Sequence, residues 1–521
     1  MFHTAFHDLG TSLKEEGVEL YKCEPNYNLW FSDGESFELS TDMTRMKAEV
    51  EKWEGKEGFE RYLDFLREAH VHYEASVVWV LKKNFTSILS MLRPGFVRLL
   101  LALHPFESIY SRASRYFWTE RLRRVFTFGS MYMGMSPFDA PGTYSLLQYT
   151  ELAEGIWYPK GGFHKIVEAL VGVGERFGVK YRLSTDVSRI LLSPDNRTAR
   201  GVVLASGETL TADVVLVNAD LVYAYNNLLP PSSMSSSLKA RAASCSSFSF
   251  YWAMDRQIPE LTTHNIFLAD DYRESFDDIF KRQLMPDQPS FYVNVPSRVD
   301  ATAAPPGKDC IVVLVPIGHI LDKAEGTGLD VSNKQDWDTM LERARETVFR
   351  TIESRTGASH LRDSVVKEIV NTPQSWRDLF NLDKGAILGL SHSFFNVLCF
   401  RPRTKHPSIE RLHFVGASTH PGTGVPICLA GSKITAEQVL DSFNMRKPWR
   451  NDAVSKQKEQ REIDKNHMRP ILSNIHIALL ALITTVLVLL YFSLIYGQYS
   501  MTTLYKAWQI SLRYNMDYLQ A

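Results

Sequence analysis

The spacing of apolar positions changes several times along the chain, and each change predicts an element. Near the start, YNLWF and ESFEL flank Ser32-Asp33-Gly34. Two β-rich runs around Asp-Gly predict a hairpin. A charged stretch from Met43 to about His70 reads as helix. Residues 76–103 are more apolar and are interrupted at Pro94-Gly95; a core helix pair and an amphipathic surface entering one leaflet both fit. From Glu154 the pattern turns to GIWYPKGG, a turn-rich loop, followed by FHKIVEALVGVGERFG. Helical spacing puts Phe163, Ile166, Val167, Leu170, Val171 and Phe177 of that segment on one side. Short strands follow, VKYRLS, DVSRILL, GVVLAS and DVVLVN, with Asp195-Asn196 and Ser206-Gly207 as turns. Past a loop at Pro230-Pro231, FSFYWAMD, SFYVNVPS and CIVVLVPIGHI give further strands, and residues 334–370 read as helical. A helix followed by a string of short strands predicts an α/β or α+β architecture.

The C-terminal part stands apart. No charged residue occurs from Ile471 to Tyr505. Its centre, Ile475 to Tyr496, is 22 residues long and as a helix would measure about 33 Å, enough to span a bilayer core. Eight Lys or Arg residues lie between Arg446 and Arg469, and only Lys506 and Arg513 follow the span. The positive-inside rule then predicts a single-pass C-terminal anchor with the catalytic part in the cytosol. The N-terminus has neither a basic nor an apolar signal region.

Composition narrows the classes. At 521 residues with 45% hydrophobic side chains, the chain can bury a large core. A formal net charge of -1 gives no basic footprint, so no nucleic-acid partner is expected. The five cysteines are far apart, without a C-x-x-C or a zinc spacing, and read as scattered thiols of a reducing compartment. His3 and His7 share a helical face but have no third ligand nearby, and no metal is expected.

Chemistry concentrates in RLHFVGASTHPGTGVPICLAGSKITAEQVL, Arg411 to Leu440. LHFVGAS reads as an apolar strand ending in small residues, HPGTGVP as a loop, and the chain from Val425 as a helix with Ala430, Ile434 and Gln438 on one face. A strand, a glycine loop and a helix N-terminus suit an anionic or electron-rich ligand, because the backbone approaches closely and first-turn N–H groups point outward. Such turns also serve packing alone, and spacing does not choose between the two.

This segment resembles the C-terminal flavin-binding signature of the phytoene desaturase family, bacterial and fungal type, within the flavin amine-oxidase-like superfamily. EPNYNLWFSDG, GIWYPKGGF, TADVVLVNAD, SFYVNVPSRVD, IVVLVPIGHI and GLSHSFFNVLCFRP extend the resemblance from residue 8 to 440, and the basic linker with its apolar span looks like the fungal members. The resemblance implies an α/β fold: a two-domain FAD-binding flavoprotein with a Rossmann-like nucleotide domain, a mixed-sheet and helical substrate domain, and a C-terminal transmembrane helix. It divides the chain into a partial FAD domain and helical substrate or membrane-contact region (1–150), an FAD-binding segment (151–230), a substrate domain (231–405), a second FAD-binding segment (406–445), a basic linker (446–470) and the anchor (471–497).

The implied activity is stepwise dehydrogenation of phytoene toward lycopene or a further desaturated product, with hydride passing to FAD; NAD is an alternative cofactor or acceptor. By position, Val187, Gly416, Ala417, Gly424, Val425 and Pro426 are expected at the flavin, and Trp157, Tyr158 and Lys160 near flavin and substrate. No catalytic acid or base is singled out, since the flavin carries the chemistry. His392 and His420 fit family motifs, with a structural role equally open. Expected partners are a lipid-soluble polyene and the membrane, with a homo-oligomer left open. Family members open with a strand and a G-x-G-x-x-G turn. The first hundred residues hold no such motif, so the chain is expected to lack that pyrophosphate grip and to hold FAD poorly. The competing readings are an impaired scaffold or subunit and a different flavin oxidase.

Overall fold

The Asp33-Gly34 hairpin forms as the alternation requires. Strands β1 (Leu20–Cys23), β2 (Tyr27–Trp30) and β3 (Ser36–Leu39) open the fold, with β2 and β3 antiparallel and Tyr27 opposite Leu39. The computed structural model describes residues 1–85, 90, 91, 96, 102–321 and 335–449. Met1–Met445 pack as one unit; of the second, Arg446–Ala521, only residues 446–449 are described.

The remaining strands are β4 (Ile156–Pro159), β5 (Val187–Leu192), β6 (Ala199–Leu204), β7 (Thr209–Thr211), β8 (Val215–Val217), β9 (Ser246–Met254), β10 (His264–Phe267), β11 (Phe291–Asn294), β12 (Cys310–Ile317), β13 (Val365–Asn371) and β14 (Leu412–Phe414). A seven-stranded sheet runs in the order β13-β9-β12-β11-β10-β2-β3, antiparallel except where β10 joins β2. On one face of β9, Phe248, Phe250 and Trp252 are fully buried at the period of two that a pleat imposes. They pack with Val348, Phe349 and Ile352 of the helix Trp337–Thr356, and the Trp252 ring stacks on Phe349 at 4.4 Å. A second cluster joins β2 and β3 to Met46, Val50, Tyr62 and Phe65 of the helix Met43–Ser76. The segment 76–103 is described only in part; there Phe85, Phe96 and Leu103 are buried together.

The site is positioned by a smaller parallel pair. β14 lies beside β8, with Leu412 opposite Val215 and Phe414 opposite Val217. The chain leaves β14 through residues 415–424 and enters the helix Val425–Ser442. That helix packs back through buried Ala430 and Ile434, while Gln438 reaches Thr404 Oγ1 at 2.7 Å, so the expected face is the one used. β5, β6 and β7 form a separate antiparallel meander.

Three expectations change. In the helix His164–Arg176 the buried stripe is Ile166, Ala169 and Val173; Phe163, Val167 and Phe177 are exposed. VKYRLS is not a strand: no described strand pairs with it, and Val179, Tyr181 and Leu183 stay exposed. Within 334–370 the helix stops at Gly357, whose φ of 78° closes it, and Val365–Asn371 is instead the edge strand β13.

The transmembrane helix and the single-pass localisation are corrected as well. No helix of the described residues is long and apolar enough to cross a membrane. Met43–Ser76 carries charges along its whole length, and Val425–Ser442 is interrupted by Lys433, Glu437 and Asp441, each costly in hydrocarbon. The stretch Ile475 to Tyr496 and the linker from residue 450 onward lie outside the described residues.

A local device starts the helix that follows β13. The helix Pro373–Phe380 starts at a capping box, in which the Thr372 side chain accepts from Ser375 N and the Ser375 hydroxyl accepts from Thr372 N at 2.7 Å. Thr372→Ala is expected to lower stability by about 1 kcal/mol, measured as a shift of the urea unfolding midpoint at unchanged slope.

Candidate flavin and substrate site

The carboxyl ends of β8 and β14 meet at one point, the place where open parallel sheets bind ligands. Asn218, just past β8, donates from Nδ2 to the Val415 carbonyl at 2.8 Å. A Cβ on Gly416 would come within 3.0 Å of that same Nδ2, and its φ is 133°. Gly422 has a φ of 143°, and a Cβ there would lie 2.7 Å from His392 Nε2. Gly424 (φ 100°) is the N-cap of Val425–Ser442 and makes no side-chain cap. Gly424, Val425 and Pro426 are exposed, so the first turn offers its N–H groups and dipole to an outside acceptor. This cradle fits the electron-rich end of a flavin. The fit concerns the ring-binding half; among the described residues the parallel sheet at this point is the β8–β14 pair.

Behind the loop lies a polar knot. Thr423 N donates to His392 Nε2 at 3.1 Å, which fixes the ring proton on Nδ1. Burial, with the nearby Arg401 cation, holds the His392 pKa well below the ordinary histidine range, so the ring is neutral. Its Nδ1 lies near the Met133 carbonyl without meeting it in a hydrogen bond. The Tyr144 hydroxyl donates to the His392 carbonyl at 3.4 Å.

In front of the loop is an apolar cavity. Met133, Leu147, Phe394, Leu398 and Ile427 line it together with Gly422 and Thr423. Among the described residues, no lining residue is a carboxylate, lysine or arginine. A polar cluster of Glu68, His72 and His104 adjoins residues of the cavity wall, His104 standing between lining Leu103 and Pro105, without lining it itself. Its atoms are already engaged: His72 Nδ1 with Ser145 Oγ at 2.7 Å, Nε2 with the Ala102 carbonyl at 2.9 Å, and Glu68 with Arg112.

The expected site residues separate into groups. Gly416, Ala417, Gly424, Val425 and Pro426 come together at the loop. Val187 opens β5, opposite Leu204, in the meander. Trp157 and Tyr158 lie in β4, antiparallel to β1, and Lys160 follows it; Trp157 Nε1 donates to the Glu154 carbonyl at 3.1 Å, and Lys160 pairs with Glu19 at 3.2 Å. None of the three lines the apolar cavity. Sequence reasoning passed over Asn218 as a loop partner, and Tyr144 and Arg401 altogether. The legible signal for Arg401 was a lone cation in the apolar run LCFRP.

The model of the flavin-containing amine oxidoreductase family matches residues 2–440. The chain belongs to that family. Within reach of it are a phytoene desaturase of Fusarium fujikuroi, 61% identical over 88% of this chain and 82% of its own, and one of Neurospora crassa, 56% identical over 89% and 79%. A zeta-carotene-forming phytoene desaturase of Myxococcus xanthus is 36% identical over 84% and 82%. Among solved structures, a putrescine oxidase redesigned for cofactor binding covers 84% of this chain and 86% of its own, at a TM-score of 0.52 and 12% identity; that likeness concerns the fold alone. The family supports the flavin, and nothing in these matches supports the NAD alternative, which is withdrawn.

Proposed function

We propose that the chain is an FAD-dependent oxidoreductase of carotenoid biosynthesis that dehydrogenates phytoene stepwise, toward lycopene or a further desaturated product. The observation that carries the reading is the apolar cavity ending on Gly422 and Thr423, in a chain 61% identical to a phytoene desaturase. A long hydrocarbon gains free energy from leaving water for such walls. A cationic amine would find no counter-ion among the described lining residues.

When bound, FAD supplies the hydride acceptor. Gly416, Gly422 and Gly424 would let the backbone approach it closely, and the first-turn N–H groups of Val425–Ser442 would stabilise negative charge gathered on reduction. Leu147, Phe394 and Ile427 hold the polyene and exclude water. His392 takes no proton from substrate, since its Nε2 lone pair is committed to Thr423 N–H; it holds the loop in place.

The full chain, loaded with FAD and given phytoene in liposomes, is expected to form more conjugated polyenes, read by chromatography with visible detection. Absence of any such product from a flavin-loaded preparation sinks the reading. Leu147→Trp, which narrows the cavity without touching the glycine loop, is expected to cost about tenfold in kcat/KM, about 1.4 kcal/mol of transition-state binding, with flavin affinity unchanged.

A further inference from the structure

Arg401 is 1% exposed, and its guanidinium spends its donors on backbone carbonyls. Nε donates to Thr419 O at 3.0 Å, Nη1 to Ser391 O at 3.1 Å and Asn396 O at 2.7 Å, and Nη2 to Leu390 O at 3.4 Å and to Ala417 O. Two of those carbonyls, Ala417 and Thr419, lie in the loop that closes on Gly422 and Gly424. No carboxylate pairs with Arg401 among the described residues. Arg241, a second cation that acts on it, also bonds a carbonyl, Phe400 O at 2.6 Å. Buried charges are ordinarily paired, because an uncompensated one is expensive. Here carbonyl dipoles satisfy the hydrogen bonds but leave a full positive charge under the glycine loop. Burial lowers the Arg401 pKa to about 10, which leaves it charged at neutral pH.

We propose that Arg401 is a positioning residue and a fixed counter-charge, tying the loop in place and favouring the reduced flavin over the oxidised one. The proposal rests on the FAD reading above. Oxidised flavin is neutral at its ring; uptake of two electrons and one proton leaves one negative charge. A buried cation nearby stabilises that product and leaves the oxidised ring almost untouched, which raises the reduction potential and eases removal of a hydride from an unactivated hydrocarbon. A merely structural arginine would affect both flavin states alike.

The test uses the full chain, with FAD titrated in its oxidised form and, anaerobically, in its reduced form, and the midpoint potential measured on the bound flavin. The wild type is expected to bind reduced FAD more tightly than oxidised FAD. In Arg401→Gln the ratio of the two affinities is expected to fall about tenfold, the size of one unit charge acting across a protein interior; for a two-electron couple this equals about 30 mV toward negative potential. Arg401→Lys keeps the charge and is expected to keep the ratio, even where overall affinity drops. Asn396→Asp places a carboxylate at the residue whose carbonyl accepts from Arg401 and whose side-chain oxygen lies 3.5 Å from Arg241 Nη1; it lowers the net positive charge there without removing the five bonds of Arg401, and is expected to shift the ratio in the same direction as Arg401→Gln. That variant decides the matter if Arg401→Gln does not fold. An unchanged ratio in a folded, flavin-loaded Arg401→Gln or Asn396→Asp overturns the proposal, as does a wild type that prefers oxidised FAD. A wild type that takes up no flavin removes the FAD reading itself and this proposal with it.

Discussion

Gly422→Ala is expected to weaken flavin binding about a hundredfold, equivalent to about 2.7 kcal/mol. Two costs add. The φ of 143° is one that side-chain-bearing residues rarely adopt, and holding such a residue there costs on the order of 1–3 kcal/mol. The new methyl would also sit 2.7 Å from His392 Nε2 and 3.2 Å from Cδ2. His392 has nowhere to go: it is fully buried and accepts the Thr423 N–H at 3.1 Å. Relief must come from the loop itself, which moves Thr423 and the start of Val425–Ser442 away from the ligand. Gly424→Ala is the comparison. Its φ of 100° is also strained, but its Cβ meets only Ile427 Cγ1 at 3.6 Å, so the loss should be nearer tenfold, about 1.4 kcal/mol. Flavin fluorescence titrations, with circular dichroism to confirm folding, read both. Gly422→Ala binding like wild type would refute the cradle.

Stability is expected to peak near about pH 6.5 and to fall on both sides. On the acid side, burial lowers the pKa values of His72, His264 and His406 to about 4. The unfolded chain binds protons on these rings below their ordinary value, while the native rings stay neutral until about pH 4. Between the two values the unfolded state holds more protons, so stability rises with pH there and is lost on acidification. The His72 shift alone is worth on the order of 3 kcal/mol by pH 4. On the alkaline side, burial raises Glu151 to about 8. Its carboxyl ionises in the unfolded chain above the ordinary carboxylate value and in the native chain only above about 8, so it costs stability as pH rises through that window. Below about pH 6.5 the three histidines outweigh the single glutamate; above it only the glutamate acts. Urea unfolding across this range should therefore show a maximum. His72→Gln should flatten the acid limb and Glu151→Gln the alkaline one. Stability that keeps rising on acidification below about pH 6 would contradict the assignment.

Local order was legible because its causes are local. The Asp33-Gly34 turn, the alternation in β9 and β12 and the strand–loop–helix at Leu412 to Ser442 each carry their own signal. What escaped depends on neighbours. Whether Ile166 or Phe163 is buried depends on what packs against His164–Arg176, and periodicity only says that apolar residues share a side. VKYRLS alternates well enough for a strand, but a strand also needs a partner to complete its hydrogen bonds, and the described fold supplies none. Val365–Asn371 follows a strong helical pattern and becomes a strand because β9 offers an edge, a contact more than a hundred residues away in sequence.

At the site the same division holds. Gly416, Gly424 and Pro426 were readable from a run of turn residues between a strand and a helix. Arg401 was not, because its partners are carbonyls of the separate segments 390–396 and 417–419, and carbonyls leave no mark in a sequence. The cavity likewise draws its walls from around Val80, Met133, Leu147, Phe394 and Ile427, which no window along the chain brings together.

The central claim is that this cavity delivers a polyene C–H bond to flavin, and one anaerobic mixing experiment tests it directly. FAD-loaded protein is combined with phytoene in liposomes, without oxygen or any other acceptor, and the visible flavin band is followed. The account predicts that the band bleaches as a more conjugated polyene appears in equal amount. A flavin that stays oxidised with phytoene and bleaches with a primary amine would contradict it.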